Sequence, residues 1–168
     1  MIIDGVEVIG IDDRFPDCLE YFQEELVCNT LYKPAQNPPI HKVVSLSVDT
    51  SIVSYKVLDS PDRGLSNSNN CLNRRVFVEV NLYFRLKYTK NATQQYIYTM
   101  NDEITKVFYI SMPNYLDNNS LDELFRHNKI NITPYIADIY AKEKDENSIY
   151  TRVLLFISAN LKNGCRRY

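Results

Sequence analysis

Between Arg75 and Tyr88 every second residue is apolar or aromatic: Val76, Val78, Val80, Leu82, Phe84, Leu86 and Tyr88. The residues between them are mostly polar or amphipathic, among them Arg75, Glu79, Asn81, Tyr83, Arg85 and Lys87. Successive strand side chains point to opposite faces, so this stretch is one long strand with a single buried face.

Other segments follow the same period. Val43 to Val57 is a second long strand, with Val44, Leu46, Val48 and Ile52 alternating with Ser45, Ser47, Asp49 and Ser51. The apolar side then moves to Val53, Tyr55 and Val57, and a one-residue phase change predicts a β-bulge or a bend. Shorter strands are expected at Val6–Ile9, Phe22–Cys28, Gln95–Met100 and Lys106–Met112, and longer ones at Ile130–Lys142 and Tyr150–Leu161. Three prolines within Pro34–Pro39 make that segment an extended connector. Residues 59–73 read as a long loop, rich in Ser and Asn. Ser120 is placed to cap a short helix through Leu121–Phe125, or the segment is an irregular loop. Glu143–Asn147 is a charged hairpin tip. The expected fold class is all-β: an antiparallel β-sandwich or flattened barrel of about six to eight strands with at most one short helix. The chain divides into an N-terminal arm or edge strand (1–19), a β domain (20–162) and a C-terminal tail (163–168).

A chain of 168 residues suits one core, with 45% hydrophobic and 24% charged residues. A net charge of −2 gives no electrostatic case for nucleic acid or for an anionic membrane. The bias lies in 13 Tyr with no Trp, which suits a sheet whose outer face is also contacted. Met1–Gly5 carries no basic region followed by a long apolar stretch, so neither a signal peptide nor membrane insertion is expected. The Asn-x-Ser/Thr triplets at Asn91, Asn118 and Asn131 then carry no glycosylation meaning.

Motifs of catalysis are missing from the sequence: there is no G-x-G-x-x-G, G-x-x-x-x-G-K, H-E-x-x-H or G-x-S-x-G. Cys18, Cys28, Cys71 and Cys165 make no C-x-x-C pair, and His41 and His127 sit near none of them in sequence, so a zinc site is not supported. Reduced, partly buried thiols are one reading. All four are also candidates for intermolecular disulfides, Cys18 and Cys165 above all because they lie close to the ends of the chain. The acidic pairs Asp12-Asp13, Glu24-Glu25 and Asp122-Glu123 read as solvated faces. Tyr83, Phe84, Tyr88, Tyr96, Tyr98, Phe108 and Tyr109 would serve either as core and cross-strand pairs or as a stacking platform for sugars. No catalytic residue, metal or cofactor is expected.

One family resemblance stands on specific residues. Glu24 to Cys28 matches an E-x-x-x-C strand, Lys33-Pro34 a K-P connector, and Lys56 to Pro61 a K-V-I-x-T-P exit. Arg75 to Tyr88, Gln95 to Met100, Val107 to Pro113, Ile136 to Lys142 (I-x-D-x-Y-x-K) and Val153 to Ala159 (V-x-L-F-I-x-A) continue the pattern. Over residues 20–162 the chain resembles the clostridial spore-coat-associated SPOCS domain family, also described as a domain of unknown function. The resemblance implies sporulation and a place in the endospore surface, and it brings no catalytic residues. Some members carry a peptidoglycan-binding LysM module, and none is expected here.

The expected function is therefore a non-enzymatic structural protein of the spore coat, exosporium or a surface filament. It would be made in the mother-cell cytoplasm and deposited on the endospore. Its partners would be itself and other spore-coat proteins. Self-assembly would run through strand edges or through an arm around Val6, Val8 and Ile9 that adds a strand to a neighbour. An adaptor for another coat protein, using a partner loop at Asp62, Arg63 and Leu65, is the alternative. A peptidoglycan or carbohydrate module is a further one.

Overall fold

The computed structural model describes residues 2–3, 5–14, 20–58, 73–90 and 96–162. In chain order the elements are β1 (Ile2–Ile3), β2 (Val6–Ile9), β3 (Tyr21–Tyr32), β4 (Lys42–Leu58), β5 (Asn73–Thr89), β6 (Ile97–Pro113), β7 (Tyr115–Leu116), β8 (Asn119–Ser120), α1 (Leu121–Arg126), β9 (Ile130–Asp145) and β10 (Ser148–Leu161). Two sheets carry the fold, in the orders β1-β2-β4-β5-β6 and β3-β10-β9, and β7-β8 is a small hairpin. All pairings are antiparallel except β2 with β4. The fold is all-β and sandwich-like, and the sheets do not close into a barrel. No helix among the described residues is long and apolar enough to cross a membrane.

The apolar period of β5 is realised without exception. Val76, Val78, Val80, Leu82, Phe84, Leu86 and Tyr88 are all buried and form the centre of the core. They face Val27, Leu31, Ile136, Ile139, Ile149, Val153, Leu155 and Ile157 of the second sheet, all of them also buried. Each such side chain contributes roughly 1.5–3 kcal/mol by leaving water.

β4 carries the expected bulge. The ladder to β5 slips between Ile52 and Ser54, and Val53, the extra residue, is 52% exposed. Beyond the slip Val57 lies opposite Val76 and packs partly against the core, whereas Tyr55, opposite Val78, remains 49% exposed. A second slip between Val43 and Ser45 was not legible. It puts Val43 rather than Val44 into the core, at 2% exposure.

One expectation needs correction. The two strands anticipated at Gln95–Met100 and Lys106–Met112 are a single strand, β6, whose ladder to β5 runs without interruption from Ile97–Thr89 to Pro113–Asn73. The polar residues Asn101–Glu103 look like a turn but contain neither Gly nor Pro. The inward phase passes through them, from Met100 to Ile104 to Phe108. Three two-residue strands, β1, β7 and β8, bring the total to ten among the described residues.

The short helix forms. The Ser120 side chain accepts from the Glu123 N–H, and the Glu123 carboxylate accepts from the Ser120 N–H, a reciprocal capping box. Before it, Asp117 and Asn118 take left-handed conformations at the β7-β8 turn. Small polar side chains tolerate that geometry best. Leu121 and Leu124 are buried, and Phe125 meets the Tyr55 ring at 5.4 Å, so the helix covers one end of the sandwich.

Polar bonds join the sheets on both sides. Asn29 of β3 donates to Asp102 of β6 at 3.0 Å. On the other side Glu143 of β9 accepts from the Val43 N–H at 3.1 Å. The proline connector is pinned to the β9-β10 turn: the Lys33 N–H donates to the Asn147 carbonyl at 2.9 Å and the Ile40 N–H to the Glu146 carbonyl at 2.8 Å.

Candidate functional site

The N-terminal arm is built around two glycines at positive φ. Gly5 (φ 80°) makes the turn from β1 to β2, and Gly10 (φ 113°) follows the last residue of β2. A Cβ at Gly10 would fall on the carbonyl oxygen of Val48, so the chain passes β4 here only because the residue has no side chain. Between the glycines β2 runs parallel to β4 over three positions, Glu7–Ser45, Val8–Leu46 and Ile9–Ser47. Val8 is buried, Val6 packs partly against the core, and Ile9 is 48% exposed. The segment predicted to add a strand to a neighbour thus lies on its own chain's β4.

Past Gly10 the chain crosses to the second sheet. The Asp12 N–H donates to the Ile136 carbonyl at 2.9 Å, and the Asp12 carboxylate accepts from the Ile136 N–H at 2.7 Å. The arm therefore seals one side of the sandwich. A crevice lined by Val6, Val43, Tyr140, Lys142 and Glu143 opens beside it. The opposite edge of the first sheet is β6, seventeen residues long.

Of the candidate disulfide residues, Cys28 is described. It is a free, exposed thiol on the outer face of β3. The Tyr150 hydroxyl donates to its sulfur at 3.2 Å, and that bond, together with burial, raises the tyrosine's pKa. Cys18, Cys71 and Cys165 lie outside the described residues, as do Asp62, Arg63 and Leu65 of the candidate partner loop.

The remaining candidates have local duties. His41 is exposed at the entry to β4, where its N–H donates to the Thr89 carbonyl. Asp122 pairs with Arg74, and Glu123 caps the helix. No group of three or more His, Cys, Asp and Glu side chains among the described residues is arranged to hold a metal ion. The aromatic stretch divides. Phe84, Tyr88 and Phe108 are core, Tyr98 stacks on Tyr88 at 5.7 Å, and Tyr83, Tyr96 and Tyr109 are exposed. Burial raises the Tyr88 pKa, and its hydroxyl donates to the Pro38 carbonyl at 3.2 Å.

The two outer faces differ in character. On the first sheet Ser54 bonds Glu79, and Asn81 bonds Glu103 and Thr105 across the ladders, next to an aromatic pair of Phe77 and Tyr109 at 5.9 Å and a partly exposed Val107. On the second sheet the outer face shows Phe22 and Leu26 of β3 (47% and 52% exposed) beside the half-buried Leu154 and Phe156 of β10. The Phe22 and Phe156 rings lie 6.1 Å apart. The sequence carried a signal for this face that alternation alone misses. Val153-Leu154-Leu155-Phe156-Ile157 is apolar without a break, the pattern of a strand covered on both sides.

Compared with known proteins, the chain matches no family model, no curated protein and no solved structure.

Proposed function

We propose that this chain is a non-enzymatic structural protein of the bacterial endospore surface, in coat, exosporium or appendage. In this reading it self-assembles through its N-terminal arm or its strand edges, with intermolecular disulfides as a covalent lock. It is made in the mother-cell cytoplasm and deposited on the spore, where its partners are further copies and other coat proteins. The setting rests on the resemblance of residues 20–162 to the SPOCS domain.

The observation that carries the assembly mode is the attachment of β2. It is a four-residue parallel edge strand with one buried side chain. An arm seated on a neighbour's β4 makes the same ladder and buries the same Val8, so exchange between copies costs little beyond bringing them together. Each copy gives one arm and accepts one, and this head-to-tail contact generates rings or filaments.

Negative-stain electron microscopy of the purified chain, with and without reductant and beside a non-reducing gel, tests the proposal. Ordered fibres or sheets are expected, and their loss in reductant would assign the lock to cysteines. A monomer under both conditions would remove self-assembly and turn the role to that of an adaptor.

A further inference from the structure

We propose that the outer face of the β3-β10-β9 sheet is a two-fold interface with a second copy of this chain, separate from the arm.

A sheet normally has one apolar face and one wet one. Here β10 is apolar on both faces over its middle, Val153–Ile157. Leu155 and Ile157 point into the core, while Leu154 and Phe156 point outward, opposite Leu26 and Glu24 of β3 and Asp138 and Tyr135 of β9, with Phe22 of β3 one outward position further on. The first sheet's outer face is mixed: a ladder of Ser, Asn, Thr and Glu bonds lies beside Phe77, Tyr109 and Val107.

The footprint is large enough. Twelve paired positions of β3 and β10 at ~3.4 Å per residue, and three strands at ~4.8 Å spacing, cover roughly 600 Å² in projection. With side-chain relief this approaches the ~800 Å² that each partner of a stable complex buries.

Charge placement selects a second copy as the occupant. Glu24 lies one outward position beyond Leu26 along β3, and Arg152 one outward position beyond Leu154 in the opposite direction across the ladder. Within one chain the two are therefore about 13 Å apart, four residues along the ladder. A two-fold axis lying in the interface, across the strands and through the Leu26–Leu154 pair, turns the second copy end for end. Each Arg152 then stands beside the other copy's Glu24, flanking a centre made of Leu26 and Leu154 from both. The guanidinium is already oriented, since it lies over the Tyr140 ring at 4.5 Å. Asp138, paired with Leu154 on the edge strand β9, falls at the rim, within reach of both Arg152 side chains. The same axis sets Cys28 of each copy opposite Glu24, not opposite the other Cys28, so this contact needs no disulfide.

Sedimentation velocity of the full chain in reductant, across a dilution series, tests the interface. A dimer or an even-numbered assembly is expected. Leu26→Glu sets two carboxylates on the axis, and Glu24→Arg sets like charges side by side. Each should weaken association at least ~10-fold while circular dichroism stays unchanged. In an Asp138→Asn background, which keeps the rim neutral, Glu24→Arg combined with Arg152→Glu should restore the dimer. A monomer at every concentration, a dimer indifferent to Leu26→Glu, or a charge reversal that the double variant does not mend would each overturn the proposal. A Gly10→Ala chain separates the two contacts, because it disables the arm and leaves this face intact.

Discussion

Glu123 shows how much of a small element rests on one side chain. Its carboxylate accepts from the Ser120 hydroxyl at 2.8 Å and from the Ser120 N–H at 3.1 Å. These bonds favour the ionised form and hold its pKa below the ordinary 4.5. A lowered folded-state pKa gives stability that is present above the unfolded value and is lost as the pH falls through the folded one. The cap of α1 should therefore loosen only at pH below 4.5, and Ser120→Ala should return the titration midpoint towards 4.5. Carbon-detected NMR of the Glu123 carboxylate reads this directly. A midpoint at or above the ordinary value in the native chain would show that the capping box is not formed in solution.

At the scale of the element, β2 stays on β4 only as long as Gly10 stays a glycine. Alanine there would combine a left-handed φ with a Cβ on the Val48 carbonyl, so Gly10→Ala should lift the arm rather than deform β4. Amides of Val6–Ile9 should exchange at least ~10-fold faster, with those of β5 unchanged, in hydrogen-exchange mass spectrometry. Unaltered exchange in the arm would mean that something other than this close approach holds it. The legibility of each element follows from what its pattern encodes. β5 was readable because one face is core and the other wet over its whole length, so period two is undiluted. The bulge at Val53 was readable as a phase break between two apolar runs, whereas the slip at Val43–Ser45 was hidden because Val43 and Val44 are both apolar. β6 was cut in two because Asn101–Glu103 has the composition of a turn, yet its backbone is held by the ladder to Tyr83–Arg85. Ser120 pointed to the helix but left an irregular loop open, and the capping box with Glu123 decides for the helix. Of the candidate site, the arm strand was legible from Val6–Ile9. Its parallel pairing was not, because which strand lies next to which is set by tertiary packing and leaves no local mark.

For the whole molecule, the arm closes one side of the sandwich as Asn29 and Asp102 join the other. Removing residues 1–15 opens that seam without touching β5, so a folded chain should remain. The loss of Val8 burial and the arm ladder should cost about 2–3 kcal/mol, a melting temperature lower by roughly 5–10 °C. That chain should no longer form fibres under the electron microscope, and fibres that persist would assign assembly to β6 or to the sheet face instead. The parallel pairing of β2 also sets an order of events. The arm leaves the ribosome well before the β4 edge it needs, and that edge exists only once β4 has found β5. Docking thus follows the pairing of β4 with β5, and until then the arm is free to meet another copy's completed β4. Whether a chain closes on itself or joins a neighbour is then a race between an intramolecular and a bimolecular search, decided by how crowded its place of synthesis is.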